Sequence, residues 1–151
     1  MNKIIMELNE LITESTIELN VVAKDKEDLI NKMIDVLVKD GAVLDEDKFK
    51  EDIYHRESLS NTGIGFGIAI PHAKSIAVKE PRIAVGILKD TVDYGSIDGE
   101  PVNMIFMIAV NDMQSDLHLK ALANLSRKLM HEDFREKILN AKSKFEILEI
   151  I

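Results

Sequence analysis

The segment Val102–Val110, VNMIFMIAV, constrains the fold more than any other stretch, because it is nearly continuously apolar. A strand with one wet face alternates polar and apolar residues, whereas an unbroken apolar run suits a central strand covered on both faces. The run is too short to cross a bilayer. Around it the apolar period switches repeatedly. Thr16–Ala23, Ile68–Pro71 and Arg82–Lys89 read as further strands, with a loop rich in Asp and Gly over Asp90–Pro101. Residues 3–12 carry a short amphipathic helix pattern at positions 4, 5, 8, 11 and 12. Asp25 opens a stronger helix, with acids in its first turn, apolar positions 29, 30, 33, 36 and 37, and Gly41 just past its end. Asp45 opens another through about Glu57, with Phe49 and Ile53 on one face. Ser115 is expected to cap a helix to about Met130, apolar at 117, 121, 122, 125 and 129. Two shorter helices follow, about 132–140 and 144–151, the latter with Ser143 and Glu146 as a capping box. Helices that alternate with strands predict an α/β fold: a mixed β-sheet flanked by helices on both faces, as a single domain over residues 1–151.

Composition narrows the function. Nineteen basic against 27 acidic residues give a net charge of −8 with no basic cluster, which disfavours nucleic-acid binding. The absence of cysteine removes disulfides, thiolate metal sites and cysteine nucleophiles together. The N-terminus MNKIIMELNE places acids where a signal peptide needs an unbroken apolar run, so a cytoplasmic location is expected, with no metal motif and no cofactor motif.

Asn61–Ser75, NTGIGFGIAIPHAKS, carries the chemistry. Gly63, Gly65 and Gly67 alternate, which predicts an extended stretch that something can approach closely, or a turn with positive φ. They are no dinucleotide fingerprint, since the third glycine of G-x-G-x-x-G is missing. Pro71 biases Ile70 to extended geometry and stiffens the approach to His72, which is expected at a strand end. Taken alone, a histidine after a proline also fits an ordinary turn. Arg56 continues the stripe of Phe49 at i+7, where a long cation can snorkel, pair with a surface acid, or point into the glycine-lined groove. His118 lies on the Leu122 and Leu125 stripe, where a hydrogen-bonded core histidine is the plain alternative. His55 and His131 read as surface or capping residues.

Arg56, His72 and His118 each stand where a core stripe meets a terminus, and such positions can converge at one edge of an α/β sheet. An imidazole nucleophile, a guanidinium fork and a helix start suit a phosphoryl group. A hydrolase using His72 as general base lacks a G-x-S-x-G element and any acid placed to orient the ring.

TGIGFGIAIPHAKS, preceded by HRES and followed at a distance by SDLHLKALANLSRKL, resembles the enzyme IIA domain of the fructose–mannitol class, part of the sugar phosphotransferase system. The resemblance runs from LITESTIELN to the final helices, and PHAK with DYGSIDGEPV looks most like the fructose branch. It implies that His72 is the phosphorylated residue, with Arg56 binding the phosphate and His118 hydrogen-bonding to it. It also implies HPr as phosphoryl donor, a IIB cysteine as acceptor and a membrane IIC domain, in other polypeptides. Ile64, Phe66 and Ile76 are candidates for an exposed docking rim, or else ordinary core. The same histidine and fold would also serve a nitrogen-regulatory or transcription-regulator IIA domain as a phosphorylation-dependent switch.

Overall fold

The computed structural model describes residues 7–151. The elements in chain order are α1 (Leu8–Leu11), a 3₁₀ turn (Glu14–Thr16), β1 (Ile17–Val21), α2 (Lys26–Asp40), α3 (Glu46–Leu59), β2 (Gly63–Gly65), β3 (Ile68–Ala69), β4 (His72–Lys74), β5 (Arg82–Val92), β6 (Val102–Val110), α4 (Ser115–Leu129), α5 (Glu132–Leu139) and α6 (Lys144–Ile150).

The sheet order is β1-β5-β6-β3-β2, and β4 also pairs with β6. β1 runs parallel to β5, β5 antiparallel to β6, and β6 parallel to both β3 and β4, so the sheet is mixed. β6 is buried almost throughout and splits the core in two by alternation. Val102, Ile105, Met107 and Ala109 join Leu29, Met33, Leu37, Phe49 and Ile53 of α2 and α3 on one face. Met104, Phe106, Ile108 and Val110 join Leu8 and Leu11 of α1, Leu125 and Leu129 of α4, Ile138 of α5 and Ile147 of α6 on the other. Helices on both faces are what the apolar run demanded.

The helix ends follow their local chemistry. Asp25 and Asp45 accept from the backbone N–H groups of Asp28 and Lys48, and Gly41 closes α2 at φ 91°. Several expected boundaries and caps are refined. Of the helix anticipated over 3–12, the described part is Leu8–Leu11, and Ile4 and Ile5 lie outside the described residues. α3 continues past Glu57 to Leu59, and β5 takes Asp90–Val92 from the anticipated loop. Ser115 is the first helical residue, not the cap; Gln114 occupies the cap position, and its carbonyl accepts from the His118 N–H at 3.0 Å. Ser143 does cap α6 through the Glu146 N–H, but the Glu146 carboxylate returns to the N–H of Lys142, one residue earlier than a capping box would place it.

The strand anticipated over Ile68–Pro71 is also divided. β3 stops at Ala69 because the Ile70 N–H donates across to the Thr62 carbonyl at 2.9 Å and Pro71 has no N–H to offer. Pairing with β6 resumes at His72, opposite Ile108. His72 therefore begins a strand. The glycines make a tight hairpin between β2 and β3: Gly63 is extended within β2, and φ is positive at Gly65, Phe66 and Gly67, so both the extended and the turn readings of their spacing are met.

Candidate functional site

His72 is 8% exposed, and its ring orientation is set by the main chain two residues earlier. Its Nδ1 lies 2.7 Å from the Ile70 carbonyl. A carbonyl can only accept, so this bond exists when Nδ1 carries the proton, and in the neutral ring Nε2 then keeps the free lone pair. Burial is the main influence on the ring's pKa and lowers it below the ordinary imidazole value. The carbonyl bond and Glu57 oppose that, and the positive charge of Arg56 adds to it. At neutral pH the ring is uncharged.

His118 reaches the same place from the first turn of α4. The two imidazole centroids are 5.1 Å apart and tilted by 44°. His118 Nε2 is buried without a hydrogen-bond partner, an arrangement that calls for a ligand or a water. Its pKa falls to about 4, chiefly by burial, with His72, Lys74 and Arg56 contributing in that order. Arg56 comes from the last turn of α3, where Nη1 donates to the Ser60 carbonyl at 3.0 Å and to its hydroxyl at 3.4 Å. All three residues line one cleft of about 220 Å³, with Asp52, His55, Leu59, Ala73 and Lys74. Lys74 Nζ lies 3.4 Å from the Ser115 hydroxyl, and Asp52 is held 3.0 Å from Lys48. The cleft therefore offers an anion two cations and two neutral imidazoles, one of them with its Nε2 lone pair free. Among the described residues no group of three or more acids and histidines is gathered for a metal ion.

Comparison with known proteins places the chain in a family. Residues 10–151 match the family described as phosphoenolpyruvate-dependent sugar phosphotransferase system, EIIA 2. The chain belongs to that family. An EIIA component from Haloferax volcanii, named as fructose-specific, is 37% identical over 97% of this chain and 97% of its own. The fructose-specific EIIABC component of Bacillus subtilis is 49% identical over 97% of this chain, which spans 23% of that longer protein. The nitrogen regulatory protein IIA-Ntr of Neisseria meningitidis superposes with a TM-score of 0.87 at 29% identity, over 94% of this chain and 97% of its own. The EIIA chain thus has the fold and the phosphotransferase-system membership that its motif implied.

Other expectations for the EIIA surface resolve individually. His55 is exposed, yet it lines the cleft, and His131 sits at the cap position of α5 without capping through its side chain. Ile64, Phe66 and Ile76 are 45%, 66% and 66% exposed, so they are surface residues and not core. Phe66, at the hairpin tip, packs under the guanidinium of Arg135, 4.4 Å from its ring centroid.

Sequence reasoning missed Glu57. This carboxylate is 9% exposed, on the helical turn that carries Arg56. Its Oε2 accepts from the Thr62 N–H at 2.9 Å and its Oε1 from the Thr62 hydroxyl at 2.6 Å. The Tyr94 hydroxyl lies 3.3 Å away and Lys26 Nζ 3.0 Å away. The signal was available: Glu57 stands at i+4 from Ile53 and i+8 from Phe49, an acid on a core stripe.

Proposed function

We propose that this chain is a phosphocarrier of the sugar phosphotransferase system, with His72 Nε2 as the phosphoryl acceptor. The observation that carries the reading is the Nδ1 bond to the Ile70 carbonyl, which leaves Nε2 as the nucleophile on a ring lining the cleft with Arg56 and His118. The lone pair of Nε2 attacks the phosphorus of phosphohistidine on HPr. A new N–P bond forms as the donor's N–P bond breaks, and the donor imidazole leaves. In the return step a IIB thiolate attacks, an S–P bond forms as the Nε2–P bond breaks, and His72 leaves as a neutral imidazole that has kept its Nδ1 proton throughout. Arg56 spreads the charge of the phosphoryl oxygens with its planar fork, and His118 donates one hydrogen bond through Nε2–H. Such transfer is mainly positioning and charge stabilisation, and needs no metal.

The fructose-specific names of the Haloferax and Bacillus relatives support fructose or a related sugar as the transported substrate. The working location is the cytoplasm, with a membrane IIC domain as a further partner; no helix among the described residues is long and apolar enough to cross a membrane. The likeness to IIA-Ntr supports a second reading, a regulatory switch in which the same phosphohistidine changes which partner binds. The deciding experiment incubates the chain with phosphoenolpyruvate, enzyme I and HPr, and compares His72→Ala and His118→Ala. One acid-labile phosphate, lost only in His72→Ala, is expected. An unlabelled wild type beside active HPr overturns the phosphocarrier reading. Onward transfer to a IIB protein separates transport from regulation.

A further inference from the structure

We propose that Glu57 is a positioning residue for phosphoryl acceptance, acting through Thr62 and Ile70 on the tautomer of His72. The inference rests on the phosphocarrier reading and adds a residue to it. The path is a continuous series of hydrogen bonds. The Glu57 carboxylate grips Thr62 twice, at the main-chain N–H and the hydroxyl, by 2.9 and 2.6 Å bonds. The Thr62 carbonyl accepts the Ile70 N–H at 2.9 Å. The Ile70 carbonyl accepts Nδ1–H of His72 at 2.7 Å. Pro71 restricts Ile70 to extended geometry, so pinning the Ile70 N–H also sets where its carbonyl points.

Packing alone does not explain the acid. A carboxylate buried to this degree carries a desolvation cost, and an apolar side chain on the same stripe would avoid it. Its charge also opposes an incoming phosphoryl group beside Arg56. What the carboxylate supplies, and an apolar residue cannot, is a bidentate acceptor for Thr62, braced from outside by Lys26 and Tyr94. Lys26 Nζ lies 3.0 Å from Oε2 and 4.5 Å from the centre of the Tyr94 ring, while the Tyr94 hydroxyl lies 3.0 Å from the Thr62 hydroxyl. One side chain thereby holds the turn that carries Arg56 and the carbonyl that orients His72. Released from it, the Ile70 carbonyl loses its fixed direction. The His72 proton then redistributes towards Nε2, where it blocks the nucleophile.

The test uses the full chain with Glu57→Gln, Thr62→Val and Thr62→Ser, and Lys26→Met as a control for the ion pair alone. Two quantities are read: the ring ¹⁵N shifts of His72 at neutral pH, and the single-turnover rate of phosphoryl uptake across phospho-HPr concentrations. In wild type, Nδ1 is expected to be protonated and Nε2 free. In Glu57→Gln the Nε2–H form appears and the limiting rate falls roughly tenfold, the scale on which outer partners of functional histidines act. The phospho-HPr concentration at half-saturation stays unchanged. Thr62→Val shifts both readouts the same way, Thr62→Ser restores them, and Lys26→Met leaves the ring pattern as in wild type. A folded Glu57→Gln with wild-type ring shifts and rate overturns the proposal. If Glu57→Gln does not fold, an unshifted Thr62→Val overturns it equally. An unlabelled wild type would count against the phosphocarrier reading alone, and the ring shifts would still judge Glu57.

Discussion

His72 must be neutral to attack and must still let the phosphoryl group go, and its surroundings serve both needs. Burial and Arg56 hold its pKa below the ordinary imidazole value, while the carbonyl bond and Glu57 pull the other way. Phosphoryl uptake is therefore expected to be flat around pH 7 and to fall only on the acid side of the ordinary imidazole range, as the ring gains its second proton. Arg56→Ala removes a charge that disfavours the imidazolium, so the acid limb of the profile should move to higher pH. The same substitution should lower the rate at neutral pH roughly 10²-fold, the usual scale for losing one donor to a transferring group. Arg56 is only partly buried and bonds to exposed Ser60, so stability should change by less than about 1 kcal/mol. A pH–rate profile with urea melts of both proteins checks all three. A wild-type rate from Arg56→Ala would remove the arginine from the site.

At the scale of elements, the hairpin between β2 and β3 sets the rail on which His72 is mounted. The Gly67 carbonyl accepts from the N–H groups of Asn103 and Met104 at 2.8 and 3.1 Å. Gly67 has φ 77°, and a Cβ there would meet Asn103 Oδ1 at 2.7 Å. Gly99 has nearly the same φ, 74°, with open space around it. Gly67→Ala should therefore destabilise by about 2–3 kcal/mol and Gly99→Ala by only about 1 kcal/mol, the difference being the collision with Asn103. Equal urea midpoints for the two variants would refute that account. This hairpin also marks the limit of what the sequence discloses. Alternating glycines fit an extended strand and a turn equally well, because both tolerate a missing side chain. The Asp98 carboxylate that accepts the Phe66 N–H lies 32 residues away in the chain, and no local pattern announces it. Helices α2 and α4 were legible because a 3.6-residue stripe is a local property. The path from Glu57 to His72 was not, because its middle link joins Thr62 and Ile70 through main-chain atoms alone.

For the whole molecule, the apolar run of β6 already required helices on both sides, and the two cores that flank it follow from alternation along one strand from Met104 to Val110. Placing Arg56, His72 and His118 in one cleft needed the crossovers as well, since α3, β4 and α4 are far apart in the chain. That convergence makes the site a contributor to global stability with a definite sign. His118 has a folded pKa of about 4 against an ordinary value of 6.5, and His72 is shifted in the same direction. Above about pH 6.5 both histidines are neutral whether the chain is folded or unfolded. As pH falls below that value the unfolded chain binds protons that the folded chain refuses, so stability declines down to about pH 4 and the histidine contribution then levels off. The net charge of −8 complicates the acid end, because carboxylates also begin to titrate there. The window from pH 7 to 5 isolates the histidines, and the comparison of wild type with His118→Gln cancels what the carboxylates share. Urea midpoints should fall with pH in wild type and fall less steeply in His118→Gln. Parallel curves for the two proteins would mean that His118 takes its proton as readily in the folded chain as in the unfolded one, and that its ring is not held neutral by burial.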